Sequence, residues 1–411
     1  MPFTHRFQAA ITGIGMVTAG GVGTQPTWDL VRQGEATAAR RLPELKGLPV
    51  DFGCAVPAFD AGALLGRRKA WRLDRASQLA LVAAAEAVAD SGLDPAAWDG
   101  TRVGVVLGCG FGGAATLERQ HNVLRDRGPE KVSPMLVPMH VLNMAAGYVA
   151  MEYGARGPNL VTATACASGT TAIGTARELL RSGRCDVVLT GGTEAPLTPL
   201  ISAGFNQMGA LSGRSDEIEA SSRPFDADRD GFVLGEGATV LVLESAARAR
   251  RRGAFVHAHV SGYGASADAH HATAPEPNGA GAELALREAL ADAGLAPEDV
   301  DHVNAHGTST ALNDAMEARL IRRVLGDRPC VTSVKGALGH TIGAAGAVEA
   351  AVTALALQYA VVPPTANLEA QDPEIDLDVV AKAARETEIE AAVSTSFGFG
   401  GHNAVLLLTR A

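Results

Sequence analysis

Cys166 lies in the segment VTATACASGTTAIGTARELLRSG, where an apolar strand pattern gives way to a helical one and small Ala and Gly residues flank the thiol. A thiol at that junction faces the positive end of a helix dipole, which favours thiolate, the form that attacks thioesters. An isolated cysteine is more often a buried structural thiol, and that is the reading for Cys54, Cys185 and Cys330. Cys166 differs in its company. Two more segments have the same strand-end, Gly-rich character: NAHGTSTALND with His306, and SVKGALGHTIGAAGAVEA with Lys335, His340 and Glu349. His5, His121, His257, His259 and His302 lack such surroundings and read as surface or satisfied core groups. One thiol and two imidazoles at strand ends are the parts for nucleophilic acyl chemistry, with N–H donors for a developing oxyanion.

The elements that must position them repeat. QLALVAAAEAVADSGL (Gln78 to Leu93) and ELALREALADAGL (Glu283 to Leu295) are both amphipathic helices stopped by Gly. Each is followed by a strand that runs into a Gly-rich loop, VGVVLGCGFGG from Val103 and DHVNAHGTST from Asp301. AITGIGM near Ile11 pairs with AHVSGYG near Val260, and GATVLVLES from Gly237 pairs with HNAVLLLTR from His402. Four matched segments in one order predict two related α/β halves, residues 1–253 and 254–411. Apolar β-branched runs such as DVVLTGG alternate with helices, the pattern of strands buried under helices on both faces. The first half has extra length between Gly113 and Val161, expected to form part of a substrate pocket or a subunit contact.

A chain of 411 residues is too long for one ordinary core. A formal net charge of -10 with no polybasic tail argues against nucleic acid as partner. No uninterrupted apolar stretch reaches bilayer length and the N-terminus lacks a secretory pattern, so no membrane is expected and the location is expected to be cytoplasmic. Five scattered cysteines give neither a zinc pattern nor a disulfide framework, so no metal is expected and the thiols are expected to be reduced.

Five motifs in order, TACASG, RPFDADRDGFVLGEGA, NAHGTST, VKGALGHTIGAAGAVE and SFGFGGHN, make nearly the whole chain resemble the elongating β-ketoacyl-carrier-protein synthases of the thiolase superfamily. The resemblance implies a five-layer αβαβα fold and an acyltransferase that performs decarboxylative Claisen condensation. Cys166 would take the acyl chain, and His306 and His340 would donate to the malonyl thioester oxygen as carbon dioxide leaves. Backbone N–H groups of Cys166 and Phe399 would hold the tetrahedral oxyanion. Lys335 would tune the His340 side, with Glu349 as its buried partner and Asp314 and Glu317 as orienting groups. Phe399 would gate the acyl pocket and Phe232 would pack near the malonyl group. Thr308, Thr310 and Thr273 would contact the phosphopantetheine arm, with Phe205 and Cys109 as further substrate-binding residues. No free cofactor is implied, because the substrates ride on the carrier protein.

The basic residues Arg67, Arg68, Lys69, Arg72 and Lys131 stand out against the acidic total and are candidates for docking an acidic carrier protein. Cys109 in the pocket-floor loop, the Asn313-Asp314 pair and His402 beside the gate loop depart from the commonest fatty-acid pattern and resemble ketosynthase subunits of bacterial type II polyketide pathways. That resemblance favours an aromatic or polyene pathway, with housekeeping fatty-acid elongation as the alternative. The expected assembly is a homodimer or a heterodimer with a homologous chain-length-factor subunit. A non-catalytic chain-length partner of the same fold is the rival from another class, and the intact Cys166 and histidines argue against it. A thiolase would need a second cysteine beyond Cys330, and an initiating synthase would carry Asn in place of one histidine.

Overall fold

The structure is a computed structural model that describes residues 7–34 and 36–411, so His5 lies outside the described residues. Its frame is a mixed sheet of eleven principal strands. They are Ala9–Thr18 (β1), Val103–Gly108 (β2), Asn159–Thr162 (β3), Val187–Glu194 (β4), Gly237–Ser245 (β5), Ala258–Ala267 (β6), His302–Asn304 (β7), Cys330–Thr332 (β8), Asp378–Val379 (β9), Ala391–Gly398 (β10) and His402–Thr409 (β11). From one edge to the other the order is β9-β8-β7-β10-β11-β6-β1-β5-β4-β2-β3. The sheet reverses its sense at one short antiparallel contact, Ala9 to Ile11 of β1 against Ala258 to Val260 of β6. Outward from it, β1-β5-β4-β2-β3 on one arm mirrors β6-β11-β10-β7-β8 on the other.

Helices cover both faces, which is why the strands read as continuous apolar runs. All of β1 and β4 is buried. Arg75–Asp90 (α1) packs on the outer face of the first arm, and Ala280–Ala293 (α3) packs on the corresponding face of the second. Between the arms lie Ser168–Arg181 (α2) and Ala345–Tyr359 (α5). The layers are therefore helix, sheet, helices, sheet, helix, as the family resemblance implied. Ala311–Leu325 (α4) follows the His306 loop and buries Asp314 and Glu317.

The two central helices meet backbone to backbone. A Cβ built on Gly346 would lie 1.9 Å from Thr170 Oγ1, and one on Gly169 would lie 2.7 Å from the backbone N of Ala347. Only glycine at these two positions lets the helix starts approach so closely. The segment Ile342–Tyr359 is by length and hydropathy (1.3) able to cross a membrane, which reading the chain for uninterrupted apolar runs missed. It is 89% buried within the fold and carries Glu349, so its apolarity serves the central layer.

The extra segment of the first half packs Ala145, Ala146, Val149 and Ala150 into the core and carries the rest of its length along the surface. It leaves Leu117, Leu124, Val137, Met151 and Leu160 exposed, and it contributes no residue to the wall of the cavity described below. Of its two expected roles, pocket and subunit contact, the first finds no support there.

Candidate active site

Cys166 sits in a 3-10 turn, Ala165–Ala167, immediately before α2. Ala165 adopts φ 49°, a left-handed conformation that aims the next side chain out of the strand-to-helix bend. Ser168 ties the bend: its Oγ donates to Ala165 O (2.6 Å) and accepts from Thr164 N–H (2.9 Å). Cys166 is only 7% exposed, at the inner end of a cavity of about 340 Å³ that His306 and His340 also line. The donor atoms of Cys166, His306 and His340 lie within 4.8 Å of one another.

Both imidazoles have an assignable tautomer. His340 Nδ1 accepts from Ile342 N–H (3.2 Å), so Nε2 carries the proton and points it at Cys166 Sγ, 3.1 Å away. His306 Nδ1 faces Lys335 Nζ at 3.3 Å, and this ammonium, which can only donate, leaves the His306 proton on Nε2. Burial first, then the positive charge of Lys335, holds both imidazoles well below their usual range. They are neutral N–H donors, suited to an oxygen that gains charge and unsuited to acting as cations.

Lys335 therefore acts on His340 through its charge, the side the sequence reading assigned to it, but its direct contacts are with His306. Its Nζ also donates to His306 O (2.6 Å) and forms a buried ion pair with Glu349. The reason lies in the topology. Lys335 follows β8, which is hydrogen-bonded to β7, the strand that delivers His306. Burial raises the Glu349 acid and Lys335 opposes that shift.

The His306 loop is held by the carboxyl groups of Asp314 and Glu317. Glu317 Oε1 accepts from His306 N–H (2.8 Å) and Thr395 Oγ1 (2.6 Å), while Oε2 accepts from Gly307 N–H (2.8 Å). Asp314 accepts from Thr308 N–H and Phe225 N–H, each at 2.9 Å. Asn313 Nδ2 donates to both carboxyls, which gives it a local structural task. Burial raises the Asp314 acid and pushes Glu317 up to about 7.

The thiol departs from expectation. Burial pushes Cys166 up to about 12, and Lys335 and the Phe399 N–H oppose this without overcoming it. Burial is the largest influence on this thiol.

Phe205, Phe232, Phe399, Thr273, Thr308 and Thr310 all line the cavity. Phe205 is the hub of its aromatic wall, 5.5 Å from Phe232 and 6.3 Å from Phe399 between ring centroids. Phe232 stands edge-on to His340 at 5.2 Å. The hydroxyls of Thr308 and Thr310 are 2.9 Å apart. Cys109 is not part of this wall: it is buried and its Sγ lies 3.5 Å from Glu194 Oε1. His402 is exposed at the start of β11, next to the gate loop, and does not line the cavity either.

Two residues near the site escaped the sequence reading. Arg229 reaches Asp372 (2.6 Å) and Asp314 (3.6 Å) and lines the cavity; its position in RPFDADRDGF was the available signal. Glu194 ends β4, and an acid closing an apolar strand looks like an ordinary strand terminus.

Arg67, Arg68, Lys69 and Arg72 line a shallow surface depression with Leu65, Tyr148 and Met151. Lys69 is engaged with Glu152 (2.5 Å), whereas Arg67, Arg68 and Arg72 are exposed. Lys131 is exposed in the turn Pro129–Lys131 and does not line that depression.

With this geometry in view, the chain was compared with known proteins. Residues 7–249 match the family model of the β-ketoacyl synthase N-terminal domain, and residues 257–369 match that of the C-terminal domain. A 3-oxoacyl-(acyl-carrier-protein) synthase 2 from Synechocystis is 43% identical over 403 residues, 97% of each chain. Among solved structures, the ishigamide ketosynthase/chain length factor superposes with a TM-score of 0.91 at 35% identity, covering 99% of this chain and 100% of that one. A type II polyketide synthase acyl-carrier protein in complex with its ketosynthase bound to the hexaketide gives a TM-score of 0.90 at 32% identity, with the same coverage.

Proposed function

Since the chain belongs to the β-ketoacyl synthase family and is a condensing acyltransferase of thiolase-like fold, we propose that it elongates fatty-acyl chains by adding units from malonyl-carrier protein. The observation that carries the chemical part is the convergence of Cys166 Sγ with two imidazoles whose Nε2 atoms carry the protons.

In the proposed cycle an acyl thioester on the carrier's phosphopantetheine is attacked by Cys166 Sγ. The tetrahedral oxygen is received by the N–H groups of Cys166 and Phe399, and the carrier thiol leaves with the proton. Malonyl-carrier protein then enters past Thr273, Thr308 and Thr310. Its carbon–carboxylate bond breaks, carbon dioxide leaves, and the electron pair is delocalised onto the thioester oxygen opposite the His306 and His340 N–H donors. The resulting carbanion attacks the acyl carbonyl, the new carbon–carbon bond forms, and Cys166 Sγ departs as thiolate and takes up a proton from solvent to restore the thiol. No free cofactor takes part, since both substrates arrive on the carrier arm.

The pathway choice rests on the 43% identity to a 3-oxoacyl synthase over nearly the full length, against 32 to 35% to the polyketide structures. This favours the alternative over the polyketide lean drawn from Cys109, Asn313-Asp314 and His402. Two of those three features have local structural tasks: Cys109 faces Glu194, and Asn313 supports the His306 loop. The polyketide reading keeps one specific support, the TM-scores of 0.90 and 0.91 to ketosynthases of that kind.

A dimer in the cytoplasm fits the surface. The strand β3 closes one edge of the sheet, and Leu160 on it is exposed, an arrangement that a second subunit would cover. The depression at Arg67, Arg68 and Arg72 would receive the acidic carrier protein. The division into halves at residues 253 and 254 is likewise proposed, supported by the mirrored strand order.

Reconstitution of the purified protein with malonyl-carrier protein and saturated acyl-carrier proteins, read by product mass spectrometry, tests the pathway. Efficient saturated-chain elongation by the homodimer is expected. Activity only with a homologous partner, yielding unreduced poly-β-keto chains, would overturn it in favour of the polyketide reading.

A further inference from the structure

Glu194 is wholly buried, yet among the described residues no Lys or Arg pairs with its carboxyl group. Its hydrogen-bond partners come from two loops. From the loop after β2, Gly110 N–H donates to Oε2 (2.6 Å), and Phe111 N–H (3.0 Å) and Cys109 Sγ (3.5 Å) donate to Oε1. From the loop after His340, Gly343 N–H donates to Oε2 (3.2 Å). The fit is to backbone alone: a Cβ on Gly110 would lie 2.8 Å from Oε2, and one on Gly343 would lie 2.5 Å from it. The carboxyl satisfies three backbone N–H groups that an apolar residue would leave buried without a partner, so it holds the two loops to each other.

The consequence is visible in what the gripped loop carries. Phe111 stands edge-on to Phe205, with ring centroids 6.1 Å apart, and Phe205 in turn touches Phe399 and Phe232. We propose that Glu194 is a positioning residue for acyl-chain selection: its carboxyl fixes the Cys109–Phe111 loop, and through Phe111 and Phe205 it sets the aromatic wall against which the chain on Cys166 packs. This rests on the reading of Cys166 as the acyl-bearing residue.

The experiment measures loading of Cys166 by saturated acyl-carrier proteins of graded length, read by intact-protein mass spectrometry. Glu194→Gln keeps the shape but turns one N–H pair toward backbone donors, and Phe111→Ala removes the ring through which the effect would travel. Each should shift the chain-length profile, changing the ratio of long-chain to short-chain loading by about tenfold. The double variant should shift it no further than either single one, because both act on one element. If Glu194→Gln does not fold, Gly110→Ala, which presses on the same carboxyl from the loop side, should give the same shift. An unchanged profile, a uniform fall at all lengths, or additive shifts in the double variant would overturn the proposal. Absence of any acyl group on Cys166 of the unmodified protein would instead overturn the reading on which it rests.

Discussion

Lys335 Nζ lies 3.3 Å from His306 Nδ1 and bonds His306 O as well, so a single ammonium decides both which nitrogen of that ring keeps the proton and where the ring stands. Removing it should therefore damage the donor more than the nucleophile, whose thiol its charge also draws down. Lys335→Ala is expected to lower malonyl decarboxylation about 100-fold, the scale of losing one oxyanion donor, while acyl loading of Cys166 falls by only a few-fold. Labelled carbon dioxide release and acyl-enzyme mass measure the two separately. The variant should also lose about 3 kcal/mol of stability, because Glu349 stays buried without its partner.

Cys166, held up to about 12 by burial, should be a thiol at neutral pH in the free protein. Its alkylation by iodoacetamide is expected to rise about tenfold per pH unit from about pH 7 to about pH 10 with no plateau, since the thiolate is the reacting form. A plateau near neutrality would show that the helix start overcomes desolvation. Cys166→Ala should abolish acyl loading altogether, which intact-mass analysis would check.

Glu317 gives a stability signature. Its acid is near 7 when folded against an ordinary value of 4.5, so below about pH 4.5 both states hold the proton, and between about 4.5 and 7 only the native state does. Its contribution therefore falls as pH rises through that window. Glu317→Gln removes this term, so the variant should gain about 3 kcal/mol relative to the unmodified protein between pH 4.5 and 7.5, whatever its absolute cost. Urea midpoints at the two pH values read the difference, and a constant gap would refute the assignment.

Reversing Arg68 and Arg72 to Glu should raise KM for carrier-bound substrate about tenfold at low ionic strength and much less in high salt, because exposed charges steer encounter and are screened. Small thioester mimics should react as before. Equal losses on both substrates would place the defect in the pocket.

Much of this architecture was legible because its signals are local. Strand-end Gly motifs located Cys166, His306 and His340, and paired segments such as Gln78 to Leu93 and Glu283 to Leu295 predicted the mirrored arms. The features that were not legible share another cause: they depend on what tertiary packing brings alongside. Lys335 is five residues from His340 in the chain but reaches His306 through neighbouring strands. The thiol's desolvation is a property of the closed cavity, not of the helix start that sequence reveals. Glu194 differs from a solvent-facing strand end only by the loops that fold over it. Ile342–Tyr359 looks apolar enough for a bilayer because a helix buried between two sheets and one buried in lipid face the same demand.

The crossing of the two central helices at Gly169 and Gly346 packs against backbone and the small side chains of Thr170 and Ala347, so it has little to compress. Cys166 and His340 hang from the starts of those helices, one from each arm. Under hydrostatic pressure the cavity should therefore yield first and the sulfur-to-imidazole spacing last. The two halves of the reaction centre behave as a single mechanical part, with its stiffness stored in two absent methyl groups.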